Sequence, residues 1–187
     1  MKKNFFLAFF LGLIAPAITS AQDFTMASLF KAMPDSLMPY LSHNNRLDCI
    51  DFCEANMKAE VRNVLEGKSE LLKLTPSYAF FRLNDAASME LCLLDADSQQ
   101  VICMIQTYGS DLRESVISFY TTSWQPLPTS QFLSTDCQQC VARFDAEQKT
   151  LTLESNNYLS RPAMEEQKAE EKVQTKLKWS QGKFKDS

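Results

Sequence analysis

Glycine and histidine are scarce in this chain, and their scarcity excludes several classes of enzyme. The 187 residues contain four glycines and a single histidine, His43. Only Gly67, Gly109 and Gly182 follow the first 21 residues, so a glycine-rich phosphate loop or dinucleotide fingerprint cannot form. One histidine excludes paired-histidine zinc motifs, and the G-x-S-x-G elbow of serine hydrolases is missing. The sequence therefore points to no catalytic, cofactor-binding or metal-binding residue, and we expect a protein that is not an enzyme.

Positive charge is also in short supply. The chain has 19 lysines and arginines against 23 aspartates and glutamates, and the basic residues form no cluster. A nucleic-acid-binding protein needs a basic surface to neutralise phosphates, and an anionic membrane attracts the same kind of surface. We therefore expect no nucleic-acid partner and no electrostatic adhesion to anionic lipid.

The N-terminus has the layout of a secretory signal peptide. Lys2 and Lys3 precede an apolar run over residues 5–18, and small residues lead up to Ala21. The run is short for a membrane span, and no stop-transfer pattern follows. We predict cleavage after Ala21, a mature single domain over residues 22–187 with no transmembrane segment, and a periplasmic or secreted location.

The N-terminal third of the mature chain is predicted to be helical. A short helix over residues 26–33 and a turn over 37–41 precede a longer amphipathic helix, capped by Asn45 and stopped by Gly67. Its apolar stripe recurs at steps of three and four residues, at Leu47, Ile50, Cys53, Met57, Val61 and Val64. We expect Cys53 to be buried on this stripe and the carboxylates to face solvent.

After Gly67 the pattern becomes strand-like and is interrupted by turn signals. Eight runs fit strands: "YAFFRLN", "SMELCLL", "QVICMIQT", "ESVISFYTT", "CVARF", "TLTLES", "KVQTKLKW" and "GKF". Consecutive hairpins imply antiparallel pairing, so we predict an α+β fold with N-terminal helices packed on a mostly antiparallel meander sheet of about eight strands. A faint echo of "FKAMPDSLMPYLS" in "WQPLPTSQFLSTD" leaves open a tandem helix-plus-four-strand arrangement.

The hairpin that contains Cys92 and Cys103 has a predictable register. If its turn is centred between Asp97 and Ser98, Cys92 lies directly opposite Cys103. In a non-hydrogen-bonded pair the two Cα atoms would be about 4.5 Å apart, near the short end of the disulfide range. The sequence leaves open whether the two cysteines form a disulfide, which export would permit, or pack side by side as thiols.

Three short motifs suggest chemistry but have simpler explanations. The helical pattern accounts for the Cys49–Cys53 pair beside His43 without a metal site. "DADS" resembles half a calcium loop but lacks the central glycine and distant glutamate, which favours a hairpin turn. "CQQC", Cys137 to Cys140, has the spacing of thiol-redox proteins, yet it leads into a strand. A structural bond within this motif, or a bond to Cys49 or Cys53, is favoured.

Three stretches together resemble a family of exported Bacteroidetes proteins that is described only as a domain of unknown function. They are "MPDSLMPYLSHNNRLDCIDFCEANMKAEVRNVLEGKSEL", "ISFYTTSWQPL" and "KLKWSQGKF". The part from "NNRLD-x-IDF" to "GKSEL" is the most specific, and the likeness covers nearly the whole mature chain. The resemblance implies export and an α+β fold, with no known reaction.

These observations favour a non-enzymatic module of the cell envelope that binds another protein or a small ligand. Such a module should expose an apolar or aromatic patch, for which the candidates are Phe80, Phe81, Tyr108, Tyr120 and Trp124. Core packing is the alternative, and it is the expected place for most of these aromatic side chains. One alternative is a thiol-disulfide redox protein that uses Cys137 and Cys140. Another is a structural component of the envelope.

Overall fold

The computed structural model describes residues 24–97, 99–135, 139–155 and 173–186, so the predicted signal peptide and Cys137 lie outside it. Its N-terminal part is helical, as predicted. Helix α1 spans Met26–Lys31, a 3-10 turn spans Asp35–Leu37, and helix α2 spans His43–Glu54. Among the described residues, none of the helices has the length and apolar character needed to cross a lipid bilayer.

Helix α2 begins earlier than predicted but ends well before Gly67, so it is shorter than the predicted helix. Ser42 is its N-cap residue, rather than Asn45, and the Ser42 hydroxyl accepts a hydrogen bond from the Asn45 amide. At the other end Asn56 adopts a left-handed conformation with φ of 55°. The Met57 amide then donates to the Phe52 carbonyl at 2.8 Å, which is the Schellman pattern that ends a helix.

The early end of α2 changes which side chains are buried. Cys49 and Ile50 are fully buried, whereas Cys53 is only partly buried, contrary to the prediction. Met57 and Val64 lie beyond the helix and are exposed, so the stripe of apolar residues does not continue past α2. Gly67 does not stop a helix. It lies in the loop between the first two strands.

Eleven strands among the described residues form two antiparallel sheets, which confirms the α+β fold class. The larger sheet has the order β1 to β7, a pure meander. Its strands are β1 Glu60–Arg62, β2 Lys68–Thr75, β3 Tyr78–Asn84, β4 Ala87–Ala96, β5 Gln99–Tyr108, β6 Glu114–Thr121 and β7 Pro126–Leu127. The smaller sheet has the order β11-β10-β9-β8, with β8 Cys140–Asp145, β9 Thr150–Ser155, β10 Gln174–Ser180 and β11 Lys183–Asp186.

Three of these strands, β1, β2 and β7, were not predicted, which accounts for the excess over eight. A 3-10 turn, Thr129–Gln131, lies in the second Pro-containing stretch and precedes the four-stranded sheet. Over the residues that the structure describes, the order is thus helical segments followed by seven strands, then a short helical turn followed by four strands.

The larger sheet is covered on both faces, so the protein has two apolar cores. Helices α1 and α2 pack on one face, against buried side chains such as Phe81 and Met89. The smaller sheet packs on the other face and buries Cys92 and Phe119. Alternate residues of β4 and β5 therefore enter different cores, and this explains why both strands are apolar at nearly every position.

The predicted register of the β4–β5 hairpin is confirmed. Cys92 is opposite Cys103, with Leu94 opposite Val101 on the same face. The Leu93 amide donates to the Ser77 carbonyl beside β3, so the backbone groups of its neighbour Cys92 point to β5. Cys92 and Cys103 are therefore a hydrogen-bonded pair, for which a Cα separation of about 5.5 Å is typical, rather than the closer pair that was considered.

Candidate functional site

The two cysteines of α2 belong to the core on the helix side of the larger sheet. Cys49 and Cys53 are both free thiols. Burial, reinforced by the neighbouring Asp48 carboxylate, raises the pKa of Cys49 to about 11, so the thiol is protonated and unreactive at neutral pH. Within the described part of the chain, no group of three histidine, cysteine or acidic side chains is arranged to hold a metal ion.

The second cysteine pair is equally inert. Cys92 and Cys103 are adjacent, fully buried and free, so the structure contains packed thiols and not the disulfide that the register permits. Burial, together with the neighbouring Cys103, raises the pKa of the Cys92 thiol. Neither sulfur can reach a substrate without opening of the core.

The other two motifs have different outcomes. In the "DADS" stretch, Asp95 and Ala96 end β4 and Asp97 lies in the turn of the hairpin, as favoured, whereas Ser98 lies outside the described residues. The Asp95 carboxylate is bound by Gln100 at 3.2 Å and Lys149 at 3.4 Å.

Cys140 is the first residue of β8 and is buried. It is disulfide-bonded, so it presents no free thiol, and because it begins a strand it also lacks the helix N-terminus that activates redox cysteines. The expected bond to Cys49 or Cys53 is wrong, since both of these are free thiols. With Cys137 outside the described residues, the thiol-redox hypothesis stays a prediction.

Most of the aromatic candidates for an exposed patch are in the core. Phe81, Tyr120 and Trp124 are buried under the helices, and Phe80 packs against the second core. Core packing, the expected alternative for most of these aromatics, is confirmed for these four because the larger sheet is covered on both faces around them. Only Tyr108 is exposed.

Tyr108 belongs to a group of exposed apolar side chains at one end of the larger sheet. In a meander every second connection lies at the same end, which here brings together the loops at 63–67, 85–86 and 109–113. Large apolar side chains on these loops and the adjoining strands are between 41% and 65% exposed. We call this group the apolar end. Its members are Val64, Leu65, Tyr108, Leu112 and Val116.

Specific contacts hold the segments of the apolar end together. The Val64 amide donates to the Tyr40 carbonyl at 3.0 Å. Tyr40 also interacts electrostatically with Tyr108, and burial first, then this interaction, raises the pKa of Tyr108. The Gly109 amide donates to the Ala86 carbonyl at 2.8 Å, which ties the second loop to the third. The three loops are therefore fixed relative to one another.

Strand pairing positions the remaining member of the group. Val116 is opposite Gln106, and Tyr108 is opposite Glu114, so Val116 and Tyr108 are diagonal neighbours on one face. This is the face on which the helices pack, but α1 and α2 contact β1, β2 and β4 and leave this part of β5 and β6 uncovered. The two side chains are consequently accessible.

No periodic pattern in the sequence indicates the apolar end. Val64 and Leu65 lie within the stretch that the sequence predicts as the long helix, and Leu112 lies in a loop. The one signal in the sequence is the presence of large apolar residues in loops, where polar residues are usual. It indicates a binding surface only when the loops are known to be neighbours.

Comparisons with known proteins agree with the fold. No curated protein matches the chain. One similar solved structure is that of a domain of an uncharacterized protein from Porphyromonas gingivalis W83, with a TM-score of 0.70 and 18% sequence identity over 86% of this chain and 96% of that chain. The family described as "Protein of unknown function (DUF3256)" matches residues 18–141, a range that contains the stretch from "NNRLD" to "GKSEL" and ends before "KLKWSQGKF". The chain belongs to the DUF3256 family.

Proposed function

We propose that the protein is an exported, non-enzymatic binding module of the cell envelope, and that it binds another protein through the apolar end. The observation that carries this proposal is the concentration of exposed apolar side chains on connected loops and the strand ends beside them, at Val64, Leu65, Tyr108, Leu112 and Val116. Single exposed apolar residues are common on protein surfaces, whereas a contiguous group of them marks an interaction site.

The apolar end suits a protein partner better than a small ligand. Its side chains project from separate loops and from one strand face, so they present a broad surface. Burial of an exposed leucine or valine side chain stabilises a complex by about 1.5–3 kcal/mol. Leu65 and Leu112 are the most exposed aliphatic residues of the group. They would therefore contribute most of the affinity.

The test is site-specific crosslinking in the native periplasm. A photoreactive amino acid replaces Leu65 or Leu112. In a control variant it replaces Val173, which is 61% exposed but directly precedes β10 of the smaller sheet. We expect a crosslinked protein from the first two positions and none from the third. Equal labelling from all three positions, or none from Leu65 and Leu112, would show that the apolar end is not a binding surface.

Export is part of the proposal and can be tested separately. Its support is the charged start, the apolar run over residues 5–18 and the small residues before the predicted cleavage point. Mass spectrometry of the protein recovered from the envelope fraction should give an N-terminus at Gln22. Retention of Met1 in that material would contradict both cleavage and the assigned location.

A further inference from the structure

We infer that the partner contacts the apolar end with an apolar segment flanked by lysine or arginine side chains. This inference rests on the proposed function and concerns the chemistry of the partner. Its basis is the charge around the apolar end. Asp85 lies in the second loop, Asp111 in the third, and Glu114 opposite Tyr108, and all three are exposed.

These three carboxylates are not neutralised within the part of the chain that the structure describes. None of them takes part in a salt bridge there. Of the basic groups near the rim, Arg62 binds Glu66 at 3.1 Å, Lys68 binds Glu60 at 2.8 Å, and Arg113 in the third loop is half-buried and also engaged. The three exposed carboxylates outnumber this one arginine. The charge left at the rim of the apolar end is therefore negative.

A negative rim around an apolar surface selects for a partner of opposite charge. Each carboxylate would gain a cationic neighbour on docking, and like-charged partners would be repelled during approach. The third loop contributes both features: Leu112 is the apolar contact, and Asp111 is the adjacent acceptor for a cation. Leu112 would thus contribute to the affinity for the partner, and the adjacent Asp111 would favour a partner that is positively charged.

The same negative rim disfavours binding of a second copy of the chain, or of an anionic lipid surface, to the apolar end. In a symmetric dimer, Asp85, Asp111 and Glu114 would approach the same residues of a second copy. The mature chain would also carry a net charge of −6, since 17 basic residues face 23 acidic ones once Lys2 and Lys3 are removed. An anionic lipid surface would repel the rim for the same reason.

The direct test uses two synthetic amphipathic peptides as probes, one of leucine and lysine and the other of leucine and glutamate, with identical apolar positions. Binding to the full mature protein is measured by fluorescence anisotropy and mapped by NMR. We expect the leucine–lysine peptide to bind at the apolar end with salt-sensitive affinity, and the leucine–glutamate peptide not to bind.

Variants of the protein separate the apolar and electrostatic contributions. Leu112→Ser should weaken binding of the leucine–lysine peptide by about tenfold, because one buried aliphatic side chain is lost. Asp111→Asn combined with Glu114→Gln should weaken it and reduce its salt dependence. Val173→Ser removes an equally exposed apolar side chain elsewhere and should leave binding unchanged. Far-UV circular dichroism of each variant confirms that it is folded.

The outcomes distinguish this inference from the function on which it rests. If Leu65 and Leu112 crosslink to a protein in the periplasm but the two peptides bind equally, the charge inference is wrong and the proposed function stands. If crosslinking fails as well, both are wrong. Self-association in sedimentation, or binding to anionic vesicles, that is abolished by Leu112→Ser would assign the apolar end to a second copy or to a membrane and overturn the inference.

Discussion

The carboxylate of Glu90 joins the two sheets. Its Oε2 atom accepts a hydrogen bond from the Tyr78 hydroxyl at 2.8 Å and from the Phe144 amide of β8 at 3.2 Å. Burial raises the pKa of Glu90, although these hydrogen bonds and the charge of Arg143 act in the opposite direction. The junction between the sheets therefore contains an acidic group that binds its proton more tightly in the folded state.

We predict that Glu90→Gln makes the protein more stable at pH 7 and changes little below pH 5. The folded-state pKa lies above the ordinary value of 4.5, so the stabilisation from the bound proton is complete below that value and is lost as the pH rises through the folded-state pKa. A neutral glutamine can still accept both hydrogen bonds. Urea unfolding at a series of pH values gives the free energies that test this.

The control for this experiment is Glu60→Gln, for which the opposite slope is expected. Hydrogen bonds from Lys58 and Lys68 lower the pKa of Glu60 to about 2. Its contribution to stability is present above 4.5 and lost as the pH falls towards 2, so Glu60→Gln should be less stable than the wild type at pH 7 and equal to it in acid. Parallel slopes for the two variants would contradict the assignments.

A second prediction concerns Arg46, a buried arginine in α2. Its Nη1 atom is 2.8 Å from the Asp35 carboxylate and donates to the Leu41 carbonyl at 3.1 Å. Arg46→Ala should lower the free energy of unfolding by about 3 kcal/mol, because it removes packed side-chain atoms and leaves a buried carbonyl without a donor. Arg46→Met keeps the apolar stem and should cost about half as much.

Arg62→Ala provides the comparison for the Arg46 variants. Arg62 also forms a salt bridge, at 3.1 Å to Glu66, but both side chains are exposed. Such a pair contributes less than about 1 kcal/mol. Chemical denaturation should therefore rank the losses as Arg46→Ala, then Arg46→Met, then Arg62→Ala, and any reversal of the first and last would refute the structural role of Arg46.

A third prediction concerns thiol accessibility. Native protein treated with iodoacetamide should be alkylated at Cys53, which is partly exposed, before Cys92 and Cys103, which are fully buried. In urea all three should react at similar rates, which controls for intrinsic differences. Peptide mass spectrometry reads out each site. A Cys92–Cys103 disulfide in the native protein, or early alkylation of either residue, would contradict the packed-thiol arrangement.

A fourth prediction concerns the two tryptophans, which anchor different layers. Trp124 donates through Nε1 to the Leu29 carbonyl of α1 at 3.0 Å, and Trp179 donates to the Asp95 carbonyl at the end of β4 at 2.7 Å. Trp124→Phe should cost about 1–3 kcal/mol, because a buried carbonyl loses its donor. It should also speed hydrogen exchange in α1, whereas Trp179→Phe should leave α1 exchange unchanged. Identical α1 exchange in the two variants would show that the Trp124 hydrogen bond does not anchor the helical layer.

The parts of the fold that depend on local pattern were predictable from the sequence. In the β4–β5 hairpin, matched apolar residues and a short polar turn specify the register without knowledge of the rest of the chain. The β10–β11 turn behaves similarly, since Gly182 adopts a φ of 73° and the residue before it, Gln181, a φ of 50°. Both turns lie where the sequence predicts them.

The elements that were missed depend on interruptions of the pattern. Strand β2 contains a bulge between Leu71 and Lys73, so its alternation of apolar and polar residues shifts midway. Helix α2 was extended too far because Met57 and Val61 fall by coincidence on the helical spacing. The stop signal was Asn56, a residue that tolerates the left-handed conformation, and it is weaker than a glycine.

The apolar end could not be predicted because it is a property of the topology. Its members are separated by up to 52 residues, from Val64 to Val116, and no local periodicity links them. The same holds for the rim: Asp85 becomes a neighbour of Asp111 and Glu114 only because the meander places alternate loops at one end. Residues of this kind carry binding in many proteins and are the least visible in sequence.

The burial of both faces of the β4–β5 hairpin has a consequence for how the chain folds. The two strands are joined by a turn of two residues, so they can pair before any distant segment arrives, and loop closure costs little entropy. The paired strands then present one apolar face to the helices and the other to the smaller sheet. We expect this hairpin to be structured in the folding transition state and its amides to exchange with solvent only through global unfolding, while the two outer layers assemble on it later.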